Sequence, residues 1–474
     1  MAAATGDNAC YLATIVAGTS LPDRVPLADE RSADGATAAN GHADTLVAAE
    51  PLATGLPARK PRIALVLSGG GSRGAYEAGA LSWLFENIYP RLRENFEFDI
   101  VSGTSVGAIH AAYVAASSNL KPVERAKALV ETWKNMRFDD VLRLTWRDVV
   151  GIPLRGFGFS HPMSHGGADH SETKGGLVDV RPLEELVRRR IPWKNLRANL
   201  DAGRPSVLCT AVTQVDSGIV RIFLDGPGAD ITPWRFDPHV DAVRTEITDL
   251  HVRASAAIPF LFPAVRIDKH YYVDGGLRLN TPLSPAMRLG ADKVLVIGLG
   301  KRLSKHDRVE YCQPESLTQP AFLLGKILDV MLLDPIENEL RQIEIVNALL
   351  AGGKAAFGPD FVERIAPALQ TVRGAGYQPV EFFMQSPSAD IGRIAADCYH
   401  RGNGESGSRG MVAAFIKRTA TMGVPDDEAD FLSYIYFDRV FTDRLVELGR
   451  EDAKASADRI LALLDGNGNG MASP

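Results

Sequence analysis

Cysteine is scarce and scattered. The chain holds four, Cys10, Cys209, Cys312 and Cys398, none in C-x-x-C spacing, so neither a zinc site nor a disulfide framework is indicated. A reducing compartment is the simpler setting for them. No run of 18 apolar residues occurs, so no stretch is long enough to cross a bilayer as a helix. The N-terminus lacks a basic segment followed by an apolar core, and no ordinary signal peptide is expected. These absences predict a cytoplasmic protein, at most peripheral at a membrane. An excess of basic residues is missing too. With 52 Lys and Arg against 58 Asp and Glu, the formal charge is −6, which gives no general attraction to nucleic acid or anionic membrane. Internal repeats are absent. So is a helical H-E-x-x-H face: His161, His165 and His170 fall in the glycine-rich stretch 153–176 beside Pro162. That stretch reads as a loop or lid beside a site rather than a metal centre.

What is present is the composition of a globular chain of 474 residues, 45% hydrophobic and 23% charged. Residues 1–58 are rich in Ala, Gly, Thr, Asp and Pro without sustained periodicity, and read as a disordered leader. Regular structure begins at Ile63-Ala64-Leu65-Val66-Leu67, a continuous apolar run suited to a strand buried on both faces. Ser68-Gly69-Gly70-Gly71-Ser72-Arg73-Gly74 follows, then helical spacing from Ala75 to Ile88. A second strand ends in Gly103-Thr104-Ser105-Val106-Gly107, ahead of a small-residue helix. This β-α-β-α order implies parallel strands with crossover helices. Further on, Val123–Val141 and Pro182–Arg190 read as helices. Residues 206–212 and 219–224 read as a strand pair, 265–267 and 271–273 as a hairpin, and 293–297 as another buried strand. The remainder is mainly helical, with one late strand near Tyr377–Phe383. The apolar stretch Ala321–Leu333 reads as a buried helix.

Three stretches carry chemistry. Gly103-Thr104-Ser105-Val106-Gly107 is a G-x-S-x-G elbow: the serine must turn sharply to present its hydroxyl, and the flanking glycines let helix and strand approach. The glycine loop 69–74 offers unobstructed backbone N–H groups at a helix start, where a developing oxyanion can be held. Asp274, at a strand end before Gly275 and Gly276, can serve as a base if desolvation raises its pKa. Each has a competing reading. The glycine loop also matches the dinucleotide fingerprint G-x-G-x-x-G, but the acid expected at the end of the second strand is missing, since Asp99 stands at its start. No Lys-Ser/Thr follows the glycines, so the Walker loop fails as well.

In this order, Gly69-Gly70-Gly71-Ser72-Arg73-Gly74, Gly103-Thr104-Ser105-Val106-Gly107 and Asp274-Gly275-Gly276 resemble the patatin-like phospholipase family. Ala254–Pro259 with Phe262-Pro263, Asn280-Thr281-Pro282 and Leu289–Asp292 add to the likeness. It is strong over about residues 62–300 and patchy beyond, through Pro387-Ser388 and the helix around Phe431–Ala453. The resemblance implies a three-layer α/β fold, a mostly parallel central sheet flanked by helices. A catalytic domain over 59–300 would be followed by a mainly helical region, 301–474, packed on it. It implies a Ser–Asp dyad: Ser105 as nucleophile, Asp274 as base, and the loop Gly69–Gly74 as oxyanion hole. Arg73 would either favour anionic head groups or brace the loop. The reaction implied is hydrolysis of a phospholipid or other fatty-acyl ester through an acyl-enzyme, without metal or cofactor, with transient membrane-surface contact and no nucleic-acid partner. The oligomeric state is left open. The alternatives are a Ser-His-Asp α/β-hydrolase with His306 or His400 as third member, and a non-catalytic nucleotide- or lipid-binding protein using the glycine loop. His110 comes nearest to Ser105 in sequence but is expected to swing away from the elbow along its helix.

Overall fold

The computed structural model describes residues 60–141, 143, 173–174, 179–259, 262–301, 326, 335–401 and 430–465, all within the unit Arg59–Pro474. The expected leader 1–58, the loop 153–176 apart from Thr173 and Lys174, the stretch 321–333 apart from Lys326, and His306 lie outside them.

A mixed, mostly parallel sheet organises the chain. Its strands are β1 (Ile63–Leu67), β2 (Ile100–Gly103), β3 (Thr173–Lys174), β4 (Val207–Gln214), β5 (Val220–Asp225), β6 (Val240–Arg244), β7 (Ala264–Ile267), β8 (His270–Asp274), β9 (Lys293–Ile297) and β10 (Glu381–Gln385). From one edge the order is β10, β9, β1, β2, β4, all parallel neighbours. β5 and β6 continue past β4. The antiparallel hairpin β7–β8 joins through β8, and β3 pairs with β7. Two features went beyond the sequence patterns. β6, Val-Asp-Ala-Val-Arg, carries polar residues that hide its strand character, as an edge position allows. The stretch expected as one helix over Val123–Val141 ends at Asn135, and Phe138–Asp140 form a separate short turn.

Side chains alternate across β1 as a doubly covered strand requires. Ile63, Leu65 and Leu67 join one core with the helices α1 (Gly74–Trp83), α2 (Val106–Ala116) and α3 (Pro122–Asn135), and with the C-terminal helix Arg439–Ala455. Ala64 and Val66 join a second core on the opposite face, with the helices Leu283–Arg288 and Pro335–Phe357. Helices thus cover both faces of the sheet. Close backbone approach locks Arg439–Ala455 onto α1: a Cβ on Gly79 would strike the Val446 carbonyl, and one on Gly449 the Tyr76 carbonyl.

The shared edge of β4 positions the site. β5 runs along one edge of β4 from Leu208 to Thr213, so β2 and β8 must both lie along the other. There Gly103, the end of β2, pairs with Thr210, and Asp274, the end of β8, pairs with Val212. The two strand ends therefore meet with a single β4 residue, Ala211, between them.

Candidate active site

Ser105 follows β2 with φ 56° and ψ −126°, a left-handed conformation that a side chain ordinarily avoids. Three neighbours hold it. The Ser105 N–H donates to Ser255 Oγ at 2.9 Å, and that hydroxyl donates to the Ala211 carbonyl at 2.7 Å. A Cβ on Gly103 would run into the Gly107 carbonyl, and one on Gly107 into the Leu67 carbonyl. The two elbow glycines are therefore required by close packing of turn on strand.

Asp274 is 2% exposed. Its Oδ1 accepts the Gly276 N–H at 2.7 Å, and its own N–H donates to the Ala257 carbonyl at 2.9 Å. Burial raises the carboxyl from the usual carboxylate range to about 7, with Ser105 and the Gly276 N–H pulling it part of the way back. Oδ2 is buried and accepts no hydrogen bond of ordinary geometry among the described residues. Gly275 leaves room for the turn, where a Cβ would press on the Ala211 carbonyl and Thr104.

The glycine loop divides into two sets. The Gly69 N–H donates to the Asn280 carbonyl, Arg73 N–H to Gly70 O, and Gly74 N–H to Gly71 O and Ser72 O. Those three belong to the fold. The N–H groups of Gly70, Gly71 and Ser72 have no backbone acceptor among the described residues. Gly71 has φ +58°, and a Cβ there would strike the Tyr434 carbonyl, so only glycine suits both its backbone and its space. Arg73 is 3% exposed. Its Nε donates to Ser433 Oγ at 2.7 Å and its guanidinium lies 4.1 Å above the Tyr434 ring. Of its two expected roles, this geometry fits bracing of the loop.

The family model described as Patatin-like phospholipase matches residues 65–287, a span that includes the glycine loop, Ser105 and Asp274. Residues 65–287 are thus similar to a patatin-like phospholipase domain. The chain is 28% identical over 243 residues to patatin-like phospholipase domain-containing protein 7 of Rattus norvegicus, covering 51% of this chain and 14% of that one. It is 27% identical over 243 residues to the uncharacterized protein YjjU of Escherichia coli (strain K12), covering 51% and 53%. The chain thus spans a small fraction of the rat relative and about half of the bacterial one. Among solved structures, human GIVD cytosolic phospholipase A2 aligns over 86% of this chain and 60% of that chain, with 12% identity and a TM-score of 0.37.

Beside Ser105 an apolar cleft opens. Ser105 and Gly71 meet there with Val106, Ile109 and Tyr113 of α2 and with Leu129, Trp133 and Met136 of α3. Leu183, Val187, Arg190, Tyr434, Ile435 and Phe437 also line it. Tyr434, Ile435 and Phe437 follow the family match in sequence, within the stretch Phe431–Ala453 whose likeness was patchy and gave them no role. Ser433, whose carbonyl accepts the Ser72 hydroxyl at 2.6 Å, and Ser255 beneath the elbow fell within the similar stretches Phe431–Ala453 and Ala254–Pro259, but nothing in the sequence gave either a role. Asn280 was visible as part of Asn-Thr-Pro. Its Nδ2 donates to the Gly69 carbonyl at 3.2 Å while its own carbonyl receives the Gly69 N–H.

His110 lines the cleft, yet both its ring nitrogens are engaged. Nδ1 lies 2.6 Å from Glu77 Oε2, and Nε2 receives the Trp133 Nε1–H at 2.9 Å. It is therefore unavailable to Ser105 in this arrangement. His400, on the helix Ile391–Arg401, is exposed and does not line the cleft. No helix among the described residues is long and apolar enough to cross a membrane.

Proposed function

We propose that this protein is a lipid acyl hydrolase that cleaves fatty-acyl esters with a Ser105–Asp274 dyad. The observation that carries this reading is a buried carboxyl, raised to about 7 and open at one oxygen, beside a serine held at the mouth of an apolar cleft. Near neutral pH such a carboxylate can take the Ser105 proton directly, with no imidazole between. The serine oxygen then bonds to the acyl carbon. The resulting oxyanion rests on the Gly70, Gly71 and Ser72 N–H groups at the start of α1. Collapse of the tetrahedral species breaks the ester C–O bond, and the proton on Asp274 passes to the leaving alcohol. Water repeats the sequence: Asp274 takes its proton, its oxygen bonds to the acyl carbon, and the fatty acid leaves as Ser105 regains its proton. The cleft fits the acyl chain, because its lining offers few polar groups and an alkyl chain buried there is removed from water. A phospholipid is the favoured ester, in keeping with the family and with the names its relatives carry.

The test is labelling with a serine-reactive fluorophosphonate carrying an alkyl chain, followed by peptide mapping. Adduct formation at Ser105, lost in Asp274→Asn, is the expected result. Absence of labelling in a folded protein that still binds lipid would favour the non-catalytic alternative.

A further inference from the structure

A second buried acid lies at the start of the glycine loop, and the dyad does not use it. Glu77, on α1, is fully enclosed. Its Oε1 accepts the Ser68 N–H at 2.8 Å, a donor shared with the Ile297 carbonyl at 3.3 Å. Ser68 is the residue immediately before the glycine loop. Glu77 Oε2 meets His110 Nδ1, and His110 Nε2 meets Trp133 Nε1. Protons along this line can be assigned from chemistry alone. An indole N–H only donates, so His110 Nε2 accepts, Nδ1 carries the ring proton, and Glu77 receives it. The imidazole is neutral and both Glu77 oxygens are acceptors. Burial raises the Glu77 carboxyl, and its bonds to His110 and Ser68 oppose that.

The far end of the line is a wall of the cleft. Trp133 and His110 both line it, and Trp133 stacks on Phe437, another lining residue, with ring centroids 6.4 Å apart and 18° between planes. The loop is held at its other end through Ser72 and Arg73 on Ser433, the residue before the lining residues Tyr434 and Ile435.

We infer that Glu77 and His110 are positioning residues, a hydrogen-bonded relay that sets the start of the glycine loop from the wall of the acyl cleft. The inference rests on the proposed hydrolase reading for its catalytic consequence but not for its structural one. A buried ionic or polar line is seldom the most stable filling of a core, since well-packed apolar side chains do as well. Its use here is geometric. The line gives the Ser68 N–H a second, shorter acceptor beside the Ile297 carbonyl, and so biases where that N–H points and how Gly70 and Gly71 leave β1.

The decisive variant is Glu77→Gln. Its amide oxygen can still accept from Ser68, but its NH2 must donate to His110 Nδ1. The ring proton then moves to Nε2, where it faces the Trp133 N–H, donor against donor. Trp133→Phe removes that conflict while keeping a ring. In hydrogen–deuterium exchange of the full chain, the peptide spanning residues 68–74 is expected to exchange about tenfold faster in Glu77→Gln, the effect of losing about one hydrogen bond. kcat on a short-chain p-nitrophenyl ester should fall by about 10- to 100-fold with KM within about twofold, as for misplaced transition-state donors. The double variant Glu77→Gln/Trp133→Phe should recover much of both. Unchanged exchange and kcat in folded Glu77→Gln, or a double variant no better than the single, overturns the relay. If Glu77→Gln fails to fold, Trp133→Phe alone must speed exchange at 68–74 by about threefold or more, and no change there overturns the relay. A wild type that hydrolyses no ester would sink the hydrolase reading while leaving the exchange test intact.

Discussion

Two buried carboxylates, Glu77 bonded to Ser68 at the start of the glycine loop and Asp274 beside Ser105, differ in one respect. Glu77 has both oxygens engaged, one by Ser68 and one by His110. Asp274 has one oxygen engaged, by Gly276, and the other left without an ordinary hydrogen bond. Both are raised by burial. What separates them is the capacity left over: a fully engaged acid can only hold its neighbours, whereas a half-engaged one can accept a further proton from the serine beside it.

The sharpest way to break this contrast is to remove the dyad. Ser105→Ala and Asp274→Asn should each lower kcat/KM for an ester substrate by on the order of 10⁴-fold or more, and the double variant should be little worse than either, because members of one catalytic unit lose activity non-additively. Additive losses would mean that Asp274 acts apart from Ser105.

Next in size is the oxyanion loop. A Cβ on Gly70 would come 2.6 Å from Leu299 Cδ1, so Gly70→Val should shift the loop and cost about 10²- to 10³-fold in kcat, more than in KM. A KM effect alone would place the loop in binding rather than in catalysis.

The pH dependence separates the acids without large rearrangement. Asp274 must be ionised to act as base, so kcat/KM should rise through about pH 7, where its carboxyl titrates. Stability should move the other way. The folded pKa lies above the unfolded one, so between about pH 4 and pH 7 the unfolded chain has released a proton that the folded chain keeps. Stability falls across that window as pH rises and levels off above it. Asp274→Asn should therefore raise Tm at pH 8 by roughly 2–4 °C and change it little at pH 4. A Tm gain equal at both pH values would show that the gain has another origin.

The smallest effect is expected far from both acids. His400→Gln should leave kcat/KM within about twofold. A collapse in that variant, still folded, would return the chemistry to a Ser-His-Asp triad.

Much of this was legible in the sequence because it is local. The strand-loop-helix at Ile63–Trp83 and the elbow at Ser105 each follow from residues a few positions apart, through apolar runs, glycine spacing and a strand end. Asp274 was legible as a strand end before two glycines for the same reason. The sequence by itself thus determined the βαβ order, the turn at Ser105 and the chemical types available to the site. The tertiary structure decided which groups meet. Only the shared edge of β4 brings the ends of β2 and β8 to either side of Ala211, and strand pairing across more than a hundred residues leaves no local mark. Only packing of the segment Asp430–Ile435 against the loop turned Arg73 inward to Ser433 and Tyr434. Likewise, two residues as ordinary in sequence as Glu77 and His110 became partners because α1 and α2 lie side by side. A side chain's charge is written in its identity, but its pKa and its free lone pairs depend on what the fold removes from water and what it places within bonding distance.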